Sequence, residues 1–352
     1  MDKNLLDLYS DYLLSSFGPT TATGLSALLE GQVSHDQVTR FLSQETYTSK
    51  TLWQQVKPML RSVERDEGVL IFDDTIQAKP HTDENELICW HFDHSQNRSV
   101  KGINLLNCVY HIDDLTIPVA FELVRKPLVF SDPETGQAKR KREVTKNELL
   151  RSRLHTCQHN QIKYRYVLAD SWFSAKENLT FIRHRLDKHF IVALKANRTV
   201  ALSKEAKLQG RFTRIDALSW SEEEPQLGWI KGLDFPVLLH RQVLTNKDDS
   251  TGTLYLACSD LNRQALCIET IYQKRWKVEC FHKTLKSDAA LAKSPTKRVR
   301  TQSNHVFMDL YAAFRIECLR VRHHMKHFAL RAQLYMKAIR TAFDKLQKLK
   351  TA

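Results

Sequence analysis

The cysteines of this sequence lack the paired spacing that stabilises small secreted proteins or binds structural zinc. There are 7 cysteines in 352 residues, and no two of them form a Cys-x2-Cys pair. An odd, scattered set indicates neither a disulfide framework nor a zinc ribbon, and it fits a reducing cytoplasm. Cys89, His91 and His94 could in principle bind zinc, but no second pair of ligands lies at a suitable spacing.

Long apolar runs are also missing. No segment approaches the length of a transmembrane span. The N-terminus carries Asp2, Asp7 and Asp11, which does not resemble a signal peptide. We therefore expect a cytoplasmic protein without a membrane partner, with room for one large domain and smaller appendages.

Acidic residues are scarce relative to basic ones. The chain has 53 Lys and Arg against 40 Asp and Glu, a net charge of +13. From Asp288 onward there are 14 Lys and Arg against 4 Asp and Glu. Such a tail can be a solubilising surface, but the overall balance favours a polyanionic partner, and nucleic acid fits better than a membrane.

The most informative segment is Ile271–Lys286, IYQKRWKVECFHKTLK. Tyr272 is followed by Arg275, Glu279 and Lys286 at offsets of 3, 7 and 14 residues. At about 100° per residue on an α-helix, all four side chains fall within a wedge of roughly 60°. One acid among cations and a phenol suits a site for a metal ion and phosphates, although a basic helix is more often a solvated charged face.

Two further carboxylates follow short apolar runs that predict buried strands. Asp74, with Asp73 beside it, follows residues 69–72, and Asp170 follows residues 166–169. A single Asp at a strand end is usually a turn residue. Together with the helix acid, however, these two predict an oxygen-rich pocket of the kind Mg²⁺ prefers. Two such ions can hold the attacking and the leaving oxygen when a phosphodiester is cleaved.

In this order the residues resemble the acidic triad of DDE-type transposases from bacterial insertion sequences. The helix segment is similar to the Y-x2-R-x3-E-x6-K signature of one large subgroup at all four positions. The resemblance implies that Asp74, Asp170 and Glu279 bind two Mg²⁺ (or Mn²⁺) ions. Asp74 is preferred over Asp73 because the family's acid precedes a threonine, here Thr75.

The resemblance also implies roles for the cations beside the triad. Arg275 and Lys286 would hold phosphates next to the scissile bond, and Lys283 would add a contact on the same stripe. Tyr272 would donate to a phosphate oxygen or orient Arg275. In this subgroup an aromatic side chain stacks on a flipped base, for which Trp220 and Trp229 are candidates, with a place in a small hydrophobic core as the alternative for each.

The first 66 residues are expected to form a helical DNA-binding region. Residues 23–44 fit a helix-turn-helix unit, with the turn at residues 31–33 and Ser34 capping the second helix. Gln37, Thr39 and Arg40 would then be available on a recognition helix. A plain helical bundle fits the pattern almost equally well.

The rest of the chain predicts an α/β protein with a ribonuclease-H-like catalytic core. Three strands, a helix, a strand, a helix and a strand follow one another in residues 67–200, and such a sheet places the first and fourth strands side by side. Capping boxes are predicted at Thr145 with Glu148 and at Ser174 with Glu177, and a hairpin turn at residues 113–114. A β-rich insertion is expected at 201–260, the rest of the core with its catalytic helix at 261–287, and a basic helical region at 288–352.

The resemblance implies a bacterial, nucleoid-associated DNA transposase. Such an enzyme binds the inverted-repeat ends of its element in double-stranded DNA, cleaves them, and joins the 3′-OH ends to target DNA, in this subgroup often through a hairpin intermediate. It is expected to act as a homodimer on DNA. The alternatives are a nuclease of the same fold without strand transfer and an inactive relic that only binds DNA ends.

Overall fold

The chain folds as helical ends around a strand-rich centre. The structure is a computed structural model that describes residues 2–351 apart from 95, 222–223, 246–247 and 326. The helices are α1 (Lys3–Ser15), α2 (Ala22–Leu28), α3 (His35–Gln44), α4 (Ser49–Val63), α5 (Lys146–His159), α6 (Lys176–Thr180), α7 (Lys204–Leu208), α8 (Ala265–Gln273), α9 (Trp276–Ser287), α10 (Val299–His323) and α11 (His327–Thr351). The strands are β1 (Val69–Ala78), β2 (Cys89–Asp93), β3 (Arg98–Ile112), β4 (Leu115–Leu123), β5 (Leu128–Ser131), β6 (Ala138–Lys141), β7 (Tyr166–Ala169), β8 (His189–Leu194), β9 (Thr199–Ala201), β10 (Thr213–Arg214), β11 (Gln226–Ile230), β12 (Val237–Thr245) and β13 (Thr251–Cys258). None of these helices is both long and apolar enough to cross a membrane.

The two runs that were predicted as buried strands lie side by side. β1 and β7 pair in parallel, with Val69 opposite Tyr166 and Phe72 opposite Ala169. Both runs are buried throughout, which explains why their sequences are continuously apolar. Asp73, Asp74 and Asp170 follow the last paired residues, so the strand register brings all three acids to the same edge.

The central sheet is mixed and large, and it is compatible with the ribonuclease-H-like fold. Its order is β10-β9-β11-β12-β13-β8-β7-β1-β3-β2, with β4 also paired to β3. The predicted series of elements is present as β1, β3, β4, α5, β7, α6 and β8, and Asp113-Asp114 form the turn between β3 and β4. The structure adds β2 and a separate β5–β6 hairpin. Within residues 201–260, β13 pairs with β8, so these strands extend the central sheet.

The helical ends of the chain pack against each other. α10 is buried at every position from Gln302 to Phe314. The hydroxyl of Tyr9 on α1 lies 3.2 Å from Nδ1 of His305. The side chain of Asn304 accepts from the Tyr47 N–H and donates to the carbonyls of Leu42 and Glu45. Residues 1–66 and the first half of the basic C-terminal region therefore share one core.

Most predicted helix starts are present, but one is wrong. Ser34 and Thr145 each cap a helix with a complete capping box, formed with Gln37 and Glu148 respectively. The predicted box at Ser174 is absent, because Ala175 is the N-cap of α6 and the Ser174 hydroxyl donates to the Ser171 carbonyl. A short 3₁₀ turn at residues 171–173 takes the place of the first helical turn, and the Asp170 carboxylate caps it.

Candidate active site

One cleft of about 700 Å³ collects the acidic residues singled out from the sequence. Asp74 and Asp170 reach it from the ends of the paired segments of β1 and β7, and Glu279 reaches it from the first turn of α9. The remaining lining includes both acidic and basic side chains. The lining residues are Asp73, Asp74, Thr75, Ile76, Phe92, Asp93, His94, Lys146, Asp170, Trp172, Glu279, His282, Lys283, Lys286 and Ser287.

Asp73 faces α9 and shares a cation with Glu279. One guanidinium nitrogen of Arg275 lies 3.2 Å from Asp73 Oδ2, and the other donates to Glu279 Oε1 at 2.5 Å. Burial and the neighbouring negative charge of Asp170 raise the pKa of Asp73 to about 7, although Arg275 opposes the shift. Asp73 and Glu279 thus share one guanidinium, and the negative charge of Asp170 acts on Asp73.

Asp74 makes a different set of contacts. Its Oδ2 accepts from Nζ of Lys146 at 2.6 Å and from the amide of Asn104 at 2.7 Å. Lys146 lies in the first turn of α5, so the capping box that starts this helix also positions the ammonium group. The partner of Asp73 across the sheet is Asn107, whose amide lies 2.9 Å from His282 on α9. Asp73, and not Asp74, therefore belongs to the α9 side of the sheet.

Asp170 performs a local structural role as well as lining the cleft. Its Oδ1 accepts from the Trp172 N–H at 3.0 Å, which fixes the carboxylate at the start of the 3₁₀ turn. Burial raises the pKa of Asp170, and Arg275 counteracts that rise. A carboxylate held by backbone at the end of a central strand is pre-oriented toward the cleft.

The expectation of one continuous signature helix is wrong. α8 ends at Gln273 and α9 begins at Trp276. Tight turns join them, since the Arg275 N–H donates to the Tyr272 carbonyl at 2.8 Å and the Val278 N–H to the Arg275 carbonyl at 3.1 Å. Tyr272 is buried, and its hydroxyl donates to the Ala169 carbonyl at 3.4 Å, so it orients the end of β7. Lys283 and Lys286 still line the cleft.

The predicted DNA-contacting residues elsewhere lie outside the cleft. Gln37, Thr39 and Arg40 are exposed on α3, and the Gln37 side chain is engaged in its capping box. Trp220 packs at the edge of the core and donates to the Ile215 carbonyl at 3.3 Å. Trp229 is partly buried on β11. Neither tryptophan lines the cleft, whereas Trp172 does.

Sequence reasoning missed several residues of this site. Lys146 and Trp172 lie in the cleft and contact each other, with Nζ 5.8 Å from the centre of the indole ring. Asn104 holds Asp74 from the neighbouring strand. Trp172 follows Asp170 by two positions, which was a usable signal. Lys146 and Asn104 have no local pattern that distinguishes them from surface residues.

The carboxylates suit a hard divalent cation by their chemistry. Asp73, Asp74, Asp170 and Glu279 provide oxygen ligands of the kind that Mg²⁺ and Mn²⁺ bind. Within the described part of the chain, no three His, Cys, Asp or Glu side chains stand close enough to hold one ion as they are placed. The contacts explain this, because Arg275 and Lys146 are the cations that neutralise the acids in this arrangement.

Acids from two neighbouring strands and one helix, with lysines beside them, form the arrangement used by metal-dependent enzymes that cleave phosphodiesters. The chain matches the model of the family described as DDE superfamily endonuclease over residues 2–215. The match includes β1 and β7, whereas Glu279 lies beyond it. The chain therefore belongs to the DDE superfamily endonucleases, a family of metal-dependent nucleases that act on DNA. A search of curated proteins found no match.

Proposed function

We propose that this protein is a DNA transposase. It would bind the inverted-repeat ends of its insertion sequence, cleave them, and join the freed 3′-OH ends to target DNA. The observation that carries the proposal is the convergence of the β1 acids, Asp170 and Glu279 in one cleft that Lys283 and Lys286 of α9 also line. The Y-x2-R-x3-E-x6-K pattern around Glu279 supports strand transfer in addition to cleavage.

Asp170, Glu279 and one of the two β1 acids would hold two Mg²⁺ or Mn²⁺ ions. When bound, these ions would supply a Lewis acid for the scissile phosphate and lower the pKa of an attacking water or 3′-hydroxyl. The contacts favour Asp73 as the β1 ligand, because it shares Arg275 with Glu279. The sequence-based preference for Asp74 stays a prediction that paired variants can test.

The chain's own residues would position the DNA. Lys283 and Lys286 present ammonium groups to the cleft, where a scissile phosphate would lie. Burial lowers the pKa of Lys286, so an incoming phosphate would favour its charged form. Arg275 would leave the carboxylates for a phosphate oxygen once cations neutralise the acids, since its planar fork fits either partner.

The other partners follow from the same proposal. Gln37, Thr39 and Arg40 on the exposed face of α3 would contact the terminal repeat. Trp220 and Trp229 remain candidates for stacking on a base displaced from the duplex. The active form would be a homodimer on DNA in the cytoplasm, at the nucleoid, and excision would pass through a hairpin.

The decisive experiment uses a labelled duplex made from the inverted repeats that flank the gene. With Mg²⁺, purified protein is expected to cut at the repeat boundary and to join the labelled 3′ end to a supercoiled plasmid. Cutting without joining would identify a nuclease of this family instead. Binding without cutting would identify an inactive relic. A protein that fails both to bind and to cut this duplex would overturn the proposal.

A further inference from the structure

A second cavity, of about 430 Å³, lies next to the acidic cleft and shares Trp172 with it. Its walls come from the same sheet that carries the catalytic acids. Ser171 and Trp172 directly follow Asp170, Lys195 follows β8, and Lys231 follows β11. The full lining is Ser171, Trp172, Ser174, Ala175, Lys195, Asn197, Arg198, Thr199 and Lys231.

The cavity is cationic, in contrast to the neighbouring cleft. Its lining contains three basic side chains and no carboxylate. In the part of the chain that the structure describes, Lys195, Arg198 and Lys231 form no ion pair. The ammonium group of Lys195 lies 5.3 Å from the centre of the Trp172 ring, and that of Lys231 lies 5.9 Å from the centre of the Phe212 ring. Glu177 acts on Arg198 only from beyond ion-pair distance.

Arg198 is the side chain that most needs a ligand. It is partly buried, and its Nε is a buried donor without a hydrogen-bond acceptor among the described residues. Burial lowers the pKa of this guanidinium, because the charge has lost water without gaining an anion. Buried polar atoms in folded proteins nearly always have a partner, so an acceptor from outside the chain is expected here.

A phosphate fits the donors in this cavity. Arginine offers a bidentate fork to two phosphate oxygens, and lysines provide mobile point charges around it. Trp172 forms a fixed wall, since Lys146 and Lys195 place their ammonium groups 5.8 and 5.3 Å from the centre of its ring. A ligand in the cavity and a ligand in the cleft would therefore be separated by one indole.

We propose that this basic cavity binds a backbone phosphate of the DNA strand whose scissile phosphate lies in the acidic cleft. The inference rests on the proposed function. The shared Trp172 wall favours a DNA phosphate over a free one, because a single strand that passes Trp172 places phosphates in both sites. Arg198 is then a positioning residue that sets the register of the strand relative to Asp170.

The test is a scan of neutral phosphates. Duplexes carrying the terminal repeat receive one methylphosphonate at a time near the scissile bond, and binding is measured with Ca²⁺ in place of Mg²⁺. For wild-type protein, one position should cost about tenfold in affinity, as expected for a charged hydrogen bond. In the Arg198→Gln variant, a methylphosphonate at that same position should not lower the affinity any further. Methylphosphonates at the other positions should lower it as much as they do for wild-type protein. Arg198→Lys should restore part of the cost.

Controls separate this inference from the proposed function and from loss of folding. Arg185→Gln removes an exposed arginine outside both cavities and should reproduce the wild-type scan. Lys231→Gln, at an exposed lining position, should give the same single-position effect if Arg198→Gln does not fold. A scan that is identical in wild type and both lining variants, from protein that still cleaves with Mg²⁺, overturns the inference alone. The inference is also overturned if inorganic phosphate binds through Arg198 and DNA does not displace it. Wild-type protein that neither binds nor cuts the repeat overturns both proposals.

Discussion

Single side chains control the charge of the acidic cleft. Arg275 contacts Asp73 and Glu279, and Lys146 contacts Asp74. Asp73, Asp74 and Glu279 therefore each have a cation beside them, and burial raises the pKa of Asp73 and of Asp170, before any ion binds. The bound cations would replace these internal ones, so substitutions in this group affect metal binding and stability together.

Glu279→Gln is expected to lower DNA cleavage more than about 100-fold. Loss of a group that hydrogen-bonds to a metal ligand lowers metal affinity or activity by about 10- to 100-fold, and loss of a ligand itself should lower activity more. Binding to the terminal repeat should remain largely intact, because glutamine keeps the shape and removes no phosphate contact. Gel-based cleavage and anisotropy binding assays measure the two effects. A variant that still cuts at the normal rate would show that the helix acid has been misassigned.

The neighbouring acids on β1 can be separated by paired variants. Asp73→Asn should abolish cleavage and weaken Mn²⁺ binding, measured by calorimetry without DNA, because Asp73 lies with Glu279 around Arg275. Asp74→Asn should have the smaller effect, since Lys146 and Asn104 already occupy its Oδ2. The reverse order of effects would assign the ligand to Asp74.

The elements show which parts of the site could be predicted from sequence. β1 and β7 were predictable because runs buried on both faces have a continuous apolar sequence, and their adjacency followed from the order of elements. The break between α8 and α9 was not, since Lys274 and Arg275 are ordinary helix formers and their tight turn depends on tertiary packing. Similarly, Lys146 reaches Asp74 across 72 positions, a contact that no local pattern encodes.

Arg275→Ala tests the charge balance at this break. In EDTA it should lower the free energy of unfolding by about 2–3 kcal/mol, because it leaves two partly buried carboxylates without their shared cation. Added Mg²⁺ should restore more stability to the variant than to wild type. Urea denaturation measures both.

Arg214→Ala is a matched control for that variant. It breaks an exposed pair with Asp216, which solvent screens, and should lower the free energy of unfolding much less than Arg275→Ala does. If Arg275→Ala lowers the free energy of unfolding no more than this control does, the Arg275 guanidinium does not neutralise the acids in solution.

Across the whole molecule, α10 joins the N-terminal helices to the catalytic sheet. Asn304 is fully buried and makes three hydrogen bonds to backbone groups of residues 42–47. α10 therefore holds α3, where the proposed DNA contacts lie, in a fixed position relative to the sheet that carries the cleft.

Asn304→Ala should destabilise the protein by about 2–3 kcal/mol, since it removes the side-chain partner of the buried Tyr47 N–H and Leu42 carbonyl. Chemical denaturation measures the loss. Ser62→Ala removes one exposed hydroxyl contact and should stay within about 0.5 kcal/mol of wild type. An equal, small effect of both variants would mean that the N-terminal helices are held without Asn304.

The burial of α10 against α1 and α3 also has a consequence for the order of synthesis. Leu6, Tyr9 and Leu13 of the first helix are covered in the finished fold, where His305 on α10 contacts the Tyr9 hydroxyl. A nascent chain emerging from the ribosome therefore cannot bury these side chains of α1 against α10 until residues near 305 have been translated. A prematurely terminated product ending at residue 66 would lack this support, and under the proposed function it would not compete with the intact protein for element ends.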